Sequence, residues 1–191
     1  MIQKIFNPFI TLPLWGHVVC AGLTLAGFGW VKQQLDASYA ASNHPVDYAT
    51  GQTAFDGEII KGYYAHMTEL GTLDIYWLTQ VIDFGFICAM VCMGLFVLTL
   101  VARLSRAESR ARGLGLLAAG SIMVGAACDV IENGLSFIML ANPAGFANWL
   151  ALPYSGFASL KFALITVGMG LICISLICTA LGRLMGNPRL G

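Results

Sequence analysis

Apolar positions along the chain gather into four long runs, at about 8–31, 76–102, 114–141 and 157–182. Each is long enough to cross a bilayer as a helix, which takes about 20 residues at 1.5 Å per residue. The first run is much longer than the roughly 7–15 apolar residues of a secretory signal, so it reads as a retained helix despite the small residues from Ala37 to Ala41. Asn43-His44-Pro45 breaks any helix that continues from it. Within the connection from Val31 to Asp74, Thr53 is placed as a helix cap with Asp56 three residues on. Phe55, Ile59, Tyr63 and Met67 then fall on one stripe that ends before Gly71. The pattern predicts an all-α integral membrane protein, a four-transmembrane-helix bundle with a short amphipathic helix in the first outer loop, forming one domain over 1–191. The connection from Asn142 to Ser155 carries Pro143, Trp149, Pro153 and Tyr154 and reads as an ordered interfacial turn.

Composition strengthens that reading. Hydrophobic residues make up 58% and charged residues 10% of the chain, with a mean hydropathy of +0.76. Soluble domains carry about 25% charged residues. The formal net charge is zero and no basic tract suggests nucleic acid, so the expected partner is the lipid bilayer. Arg103, Arg106, Arg110 and Arg112 crowd the link between the second and third spans, with Lys4 before the first and Arg183 and Arg189 after the fourth. Only Lys32, Lys61 and Lys161 fall near the opposite side. The bias of basic residues toward the cytoplasm predicts a multi-pass protein of the cell inner membrane with both termini cytoplasmic.

Six cysteines lie in apolar segments without a Cys-x-x-Cys pair, which argues for packing residues over thiol redox chemistry. His17 is the one histidine in an apolar run, which disfavours a bis-histidine haem, and Asp56, Glu58, His66 and Glu69 follow no metal-ligand spacing. Neither a metal nor a cofactor is expected.

The unusual residues are acids inside apolar runs, where charge is expensive and is by default functional. Counting 1.5 Å per residue from the outer ends, Asp83 sits about 12 Å deep, Glu132 about 13 Å and Asp129 about 18 Å. Asp129, Glu132, Asn133 and Ser136 share a helix face. Lys161, about 7 Å deep, is placed to pair with one acid. Thr79 and Gln80 extend the polar lining, and His17 is either the floor of this cavity or a hydrogen-bonded core histidine. Crowded carboxylates in a low dielectric cannot all stay ionised, so at least one is expected to carry a proton. The same residues, Asp83, Asp129, Glu132, Asn133 and Lys161, could equally form an interhelical polar clasp.

Phe55-Asp56, Tyr64, Gly71, Tyr76 and Asp83, followed by Asp129-x-x-Glu132-Asn133, resemble the pattern of a bacterial family of small four-helix membrane proteins. That resemblance implies the topology and the same acids, and it implies no reaction. The architecture, with an acid two turns into the second span, also resembles the group of the sigma-2 receptor and sterol isomerase. It implies a lipophilic pocket with Asp83 as its acid.

Three functional readings follow. In the first, Asp83, Asp129, Glu132, Asn133, Lys161, Gln80 and His17 line a pocket for a small lipophilic or amphiphilic molecule, with Asp83, Asp129 and Glu132 as candidates for acid/base catalysis. In the second, the chain is an accessory subunit of a larger membrane complex. The third is a proton- or cation-coupled carrier acting as a homo-oligomer, namely a dimer, since four spans are few for one chain.

Overall fold

The computed structural model describes residues 2–187 and 189–190, and no strand occurs among them. Helix α1 (Ile2–Ile10) stops before Thr11, and α2 (Leu14–Ala41) begins after Pro13. The first span therefore starts six residues later than the hydropathy pattern suggests and runs ten residues further. Pro13 has no N–H to continue α1, and its carbonyl accepts the His17 N–H that opens α2. The connection that follows α2 holds α3 (Tyr48–Gln52) and α4 (Gly57–Glu69). The second long apolar stretch comprises α5 (Leu73–Cys92), a π-helical segment (Met93–Leu98) and α6 (Thr99–Ala102). Helix α7 (Arg110–Leu140) starts earlier than expected because Ser109 caps it, its Oγ accepting the Arg112 N–H at 3.2 Å. A 3-10 turn (Asn148–Leu150) leads into α8 (Ala151–Leu184), which also starts early. Pro153 sits in its first turn, where a missing N–H costs nothing.

Four helical stretches are long and apolar enough to cross a membrane: Leu14–Ala41, Leu73–Ala102, Arg110–Leu140 and Asn148–Leu184. Within their most apolar windows, half of α7 is buried inside the protein, against 11% of α2 and 17% of α8. Helix α2 instead turns Leu14, Trp15, Val18, Leu23 and Trp30 outward. An exposed surface of that composition suits a lipid environment and not water.

The chain divides into two compact units, and each of the four long helical stretches contributes to both. The first comprises Met1–Phe28, Ala89–Gly125 and Ala163–Gly191. In it Phe6 and Ile10 of α1 pack on Ala102, Leu116 and Ala119. The second comprises Gly29–Cys88 and Ala126–Phe162, with a core of Ile60, Tyr64, Met67, Tyr76, Met139, Phe146 and Tyr154 among others.

The amphipathic helix expected between the first two long helical stretches exists as α4, but its buried stripe is Ile60, Tyr64 and Met67. Of the expected stripe only Met67 is buried, while Phe55 and Ile59 are exposed. The cause is local. Thr53 ends α3 and does not start α4, and Asp56 is the true cap, accepting the N–H groups of Glu58 and Ile59. Phe55 has a left-handed backbone, and its N–H is held by Ser155 Oγ at 3.0 Å. The amphipathic period is therefore set from Gly57.

Candidate functional site

In the second unit, α7 supplies Asp129, Glu132, Asn133 and Ser136 from one face, as i+3 and i+4 spacing requires. Helix α5 supplies Asp83 and Gln80, and α8 supplies Lys161. All seven are buried, Glu132, Asn133 and Ser136 completely. Asn133 Nδ2 donates to Asp83 Oδ2 at 2.7 Å, joining α7 to α5. Lys161 Nζ donates to Asp129 Oδ1 at 2.7 Å and is also ion-paired with Glu132 Oε2. The lysine thus bridges two acids, where the sequence suggested one.

Three residues from outside the long apolar runs complete the cluster. Gln52, the last residue of α3, accepts a hydrogen bond from Lys161 Nζ at 3.2 Å. Tyr64 of α4 and Tyr154 of α8 bring phenol groups close enough to feel the Glu132 charge. Burial pushes the Tyr64 phenol well above its ordinary value, and the Glu132 charge pushes it the same way. Gln52 and Tyr154 lie where hydropathy shows only a loop or an interfacial aromatic. The signal of Gln52 in sequence is weak because its contact with Lys161 spans 109 residues.

What distinguishes this cluster is its unsatisfied polar atoms. Gln80 Oε1, Glu132 Oε1 and Asn133 Oδ1 are buried and have no hydrogen-bond partner among the described residues, while the Tyr64 and Ser136 hydroxyls have only each other. Most buried polar groups in folded proteins are paired, so three such atoms in one unit require an explanation. Among the described residues, no group of three or more His, Cys, Asp and Glu side chains is arranged to hold a metal ion.

Thr79, also expected in the lining, is used differently. Its hydroxyl donates to Ile75 O at 2.8 Å and pairs with Ser38 Oγ at 2.7 Å, tying α5 to α2.

His17 belongs to the first unit, in a polar cluster that contains none of the three acids. Arg103 Nη1 donates to His17 Nδ1 at 3.0 Å and to Leu12 O at 2.8 Å, closing the carbonyl left open at the break between α1 and α2. A guanidinium only donates, so Nδ1 accepts and Nε2 carries the proton. Nε2 in turn meets Phe96 O at 2.8 Å and Thr99 Oγ at 3.1 Å, on the π-helical segment and the residue after it. Every ring nitrogen of His17 is therefore occupied, as in a hydrogen-bonded core histidine.

Beside the acid cluster, the second unit holds an aromatic cluster. His44 lies among Tyr39, Tyr63 and Tyr76, with ring centroids 5.2, 5.0 and 5.2 Å away. Burial holds the His44 imidazole below its ordinary value. The folded state therefore binds a proton less readily than the unfolded chain, whose histidine titrates near pH 6.5. The stability contributed by neutral His44 is present above about pH 6.5 and is lost as pH falls through the lower folded value. Hydrogen-exchange protection of α3, taken relative to the intrinsic rate at each pH, is expected to fall below that pH in the natural chain. In His44→Phe the fall should be absent.

No family model, curated protein or solved structure matches the chain, so the reading of this site rests on its own residues.

Proposed function

We propose that the chain is a multi-pass protein of the cell inner membrane whose cluster around Glu132 binds the polar head of a small lipophilic or amphiphilic molecule. The observation that carries this reading is the set of buried polar atoms without protein partners, on Gln80, Glu132 and Asn133, beside a lysine shared by two acids. A ligand head offering donors would satisfy these three together and could extend to the Tyr64–Ser136 hydroxyl pair, recovering the cost of leaving the three unpaired. The exposed apolar surface of α2 supports membrane insertion, and seven of the ten basic residues near the two termini and the link between α6 and α7 support cytoplasmic termini.

The same arrangement suits acid/base chemistry. A carboxyl holding a proton would act as acid and an ionised neighbour as base, with Glu132 and Asp83 as the pair and Lys161 fixing the charge of Asp129.

The competing reading, a clasp in an accessory subunit, draws on the way Lys161 ties α8 to α7 and α3. Native mass measurement of the full chain, extracted in mild detergent from its own membrane, separates the two. A small non-protein adduct is expected, and Glu132→Gln and Ser136→Ala should each diminish it. Retention of the adduct in both variants, or a stoichiometric foreign protein in place of any adduct, would reject the proposal.

A further inference from the structure

Charge is divided unevenly between the two units. The first holds Lys4 and all six arginines but a single acid, Glu108, for a net charge of +6. Helix α1 lies in this unit with Phe6 and Ile10 packed inward and Ile5 turned outward. Two neighbouring spaces open along it. One is a polar cavity of about 240 Å³, with Gln3, Glu108, Ser109 and Arg112 on its walls and Ile2 and Leu116 beside them. The other is an almost wholly apolar groove of about 530 Å³, formed by Ile2, Ile5 and Phe6 of α1, Leu117 and Val124 of α7 and Leu171 of α8. Ile2 lines both, so the two are neighbours.

Arg112 gives the polar cavity its chemistry. Its Nε is buried and has no hydrogen-bond partner among the described residues. Arg103 lies within electrostatic reach, so the like charges of two guanidinium groups act on each other. No hydrogen bond or ion pair joins Glu108 to Arg112 among the described residues, although both line the cavity. The start of α7 plays no part as a dipole end. The N–H groups of Arg110 and Ala111 donate to Arg189 O and Leu190 O, and those of Arg112 and Gly113 to Ser109. What remains unanswered is a guanidinium donor in a strongly positive unit, next to an apolar groove.

We propose that the first unit binds an anionic phospholipid, its phosphate at Arg112 and one acyl chain in the groove beside α1. A planar guanidinium pairs with phosphate oxygens through two hydrogen bonds, and basic pockets between membrane helices select acidic head groups in this way. Glu108 opposes the anion and sets an upper limit on affinity. The site is separate from the acid cluster and stands or falls independently of it.

The test titrates the full chain in detergent with phosphatidylglycerol, phosphatidylcholine or inorganic phosphate and counts bound copies by native mass measurement. Phosphatidylglycerol should bind in preference to phosphatidylcholine. Arg112→Gln should weaken phosphatidylglycerol about tenfold and narrow its preference over phosphatidylcholine, and Glu108→Gln should tighten it. Gly120→Leu fills the groove, since even a Cβ there would stand 3.3 Å from Ile2 Cδ1, and should weaken both lipids. If Arg112→Gln fails to fold, the opposite effects of Glu108→Gln and Gly120→Leu decide the matter. Equal binding of the two lipids overturns the proposal. So does inorganic phosphate binding as tightly as phosphatidylglycerol with Gly120→Leu inert, which would make this a free-phosphate site.

Discussion

Replacing Lys161 by methionine is expected to destabilise the protein by roughly 3–5 kcal/mol, the cost of leaving buried charge without its counter-ion. The magnitude follows from what the lysine holds. Asp129 and Glu132 both rely on its ammonium, and Gln52 Oε1 loses a donor as well. Desolvating an ion pair offsets most of its Coulomb attraction, so the pair as a whole contributes little while removal of one member is severe. The triple variant Lys161→Met with Asp129→Asn and Glu132→Gln should therefore recover most of the loss. Thermal melting in detergent, with and without the two acid substitutions, provides the measurement. A Lys161→Met chain that melts with the natural one would mean that the acids carry no charge for the lysine to balance. Stability and binding should also part company: the triple variant melts near the natural chain but no longer holds the adduct.

A single methyl group at Gly57 is expected to cost about 1–3 kcal/mol, because this glycine is where α4 docks. A Cβ there would stand 2.6 Å from Asn148 Cα and 2.8 Å from Asn148 Oδ1. The first of those atoms is backbone and cannot swing aside. Asn148 is itself tied down, donating to Glu58 Oε1 at 2.7 Å and accepting from Lys61 Nζ at 2.6 Å. Alanine is intrinsically the better helix former by up to about 1 kcal/mol, so the two effects oppose each other and the clash wins. Gly62→Ala in the same helix is the control, since no atom lies within 4 Å of its added Cβ. It should be neutral or stabilising. Hydrogen exchange across α4 should rise in Gly57→Ala and not in Gly62→Ala. Equal behaviour of the two variants would show that α4 is not anchored at this contact.

The long helices were legible because a run of twenty or more apolar residues with few charges leaves little else for the chain to do. Their ends were less legible, because ends are set by single polar contacts: Ser109 on the Arg112 N–H, Asp56 in place of Thr53, Pro153 tolerated in a first turn. The acids announced themselves by their cost, and spacing along α7 was enough to put two of them, Asp129 and Glu132, on one face with their polar neighbours Asn133 and Ser136. Periodicity could not show that Gln52 and Tyr64 reach the same place, because the outer connection folds back by contacts that no local pattern encodes. The stripe on α4 was misplaced for a related reason. Phe55 looked like its first member, yet its left-handed backbone shifts it out of the helical repeat. His17 was visible as a polar residue in an apolar run, but its partner, a carbonyl of a π-helical segment, leaves no trace in hydropathy.

The π-helical segment Met93–Leu98 also fixes a phase. Each α-helical residue advances the chain by 100°, so one residue more or fewer in this segment turns everything after it by about that angle relative to everything before it. Thr99 and Arg103 meet His17 only in the present phase. A deletion of one apolar residue between Met93 and Leu98 would leave the hydropathy of the span almost untouched and still point both side chains away from the histidine. Along this stretch the length of the chain carries information that its composition does not.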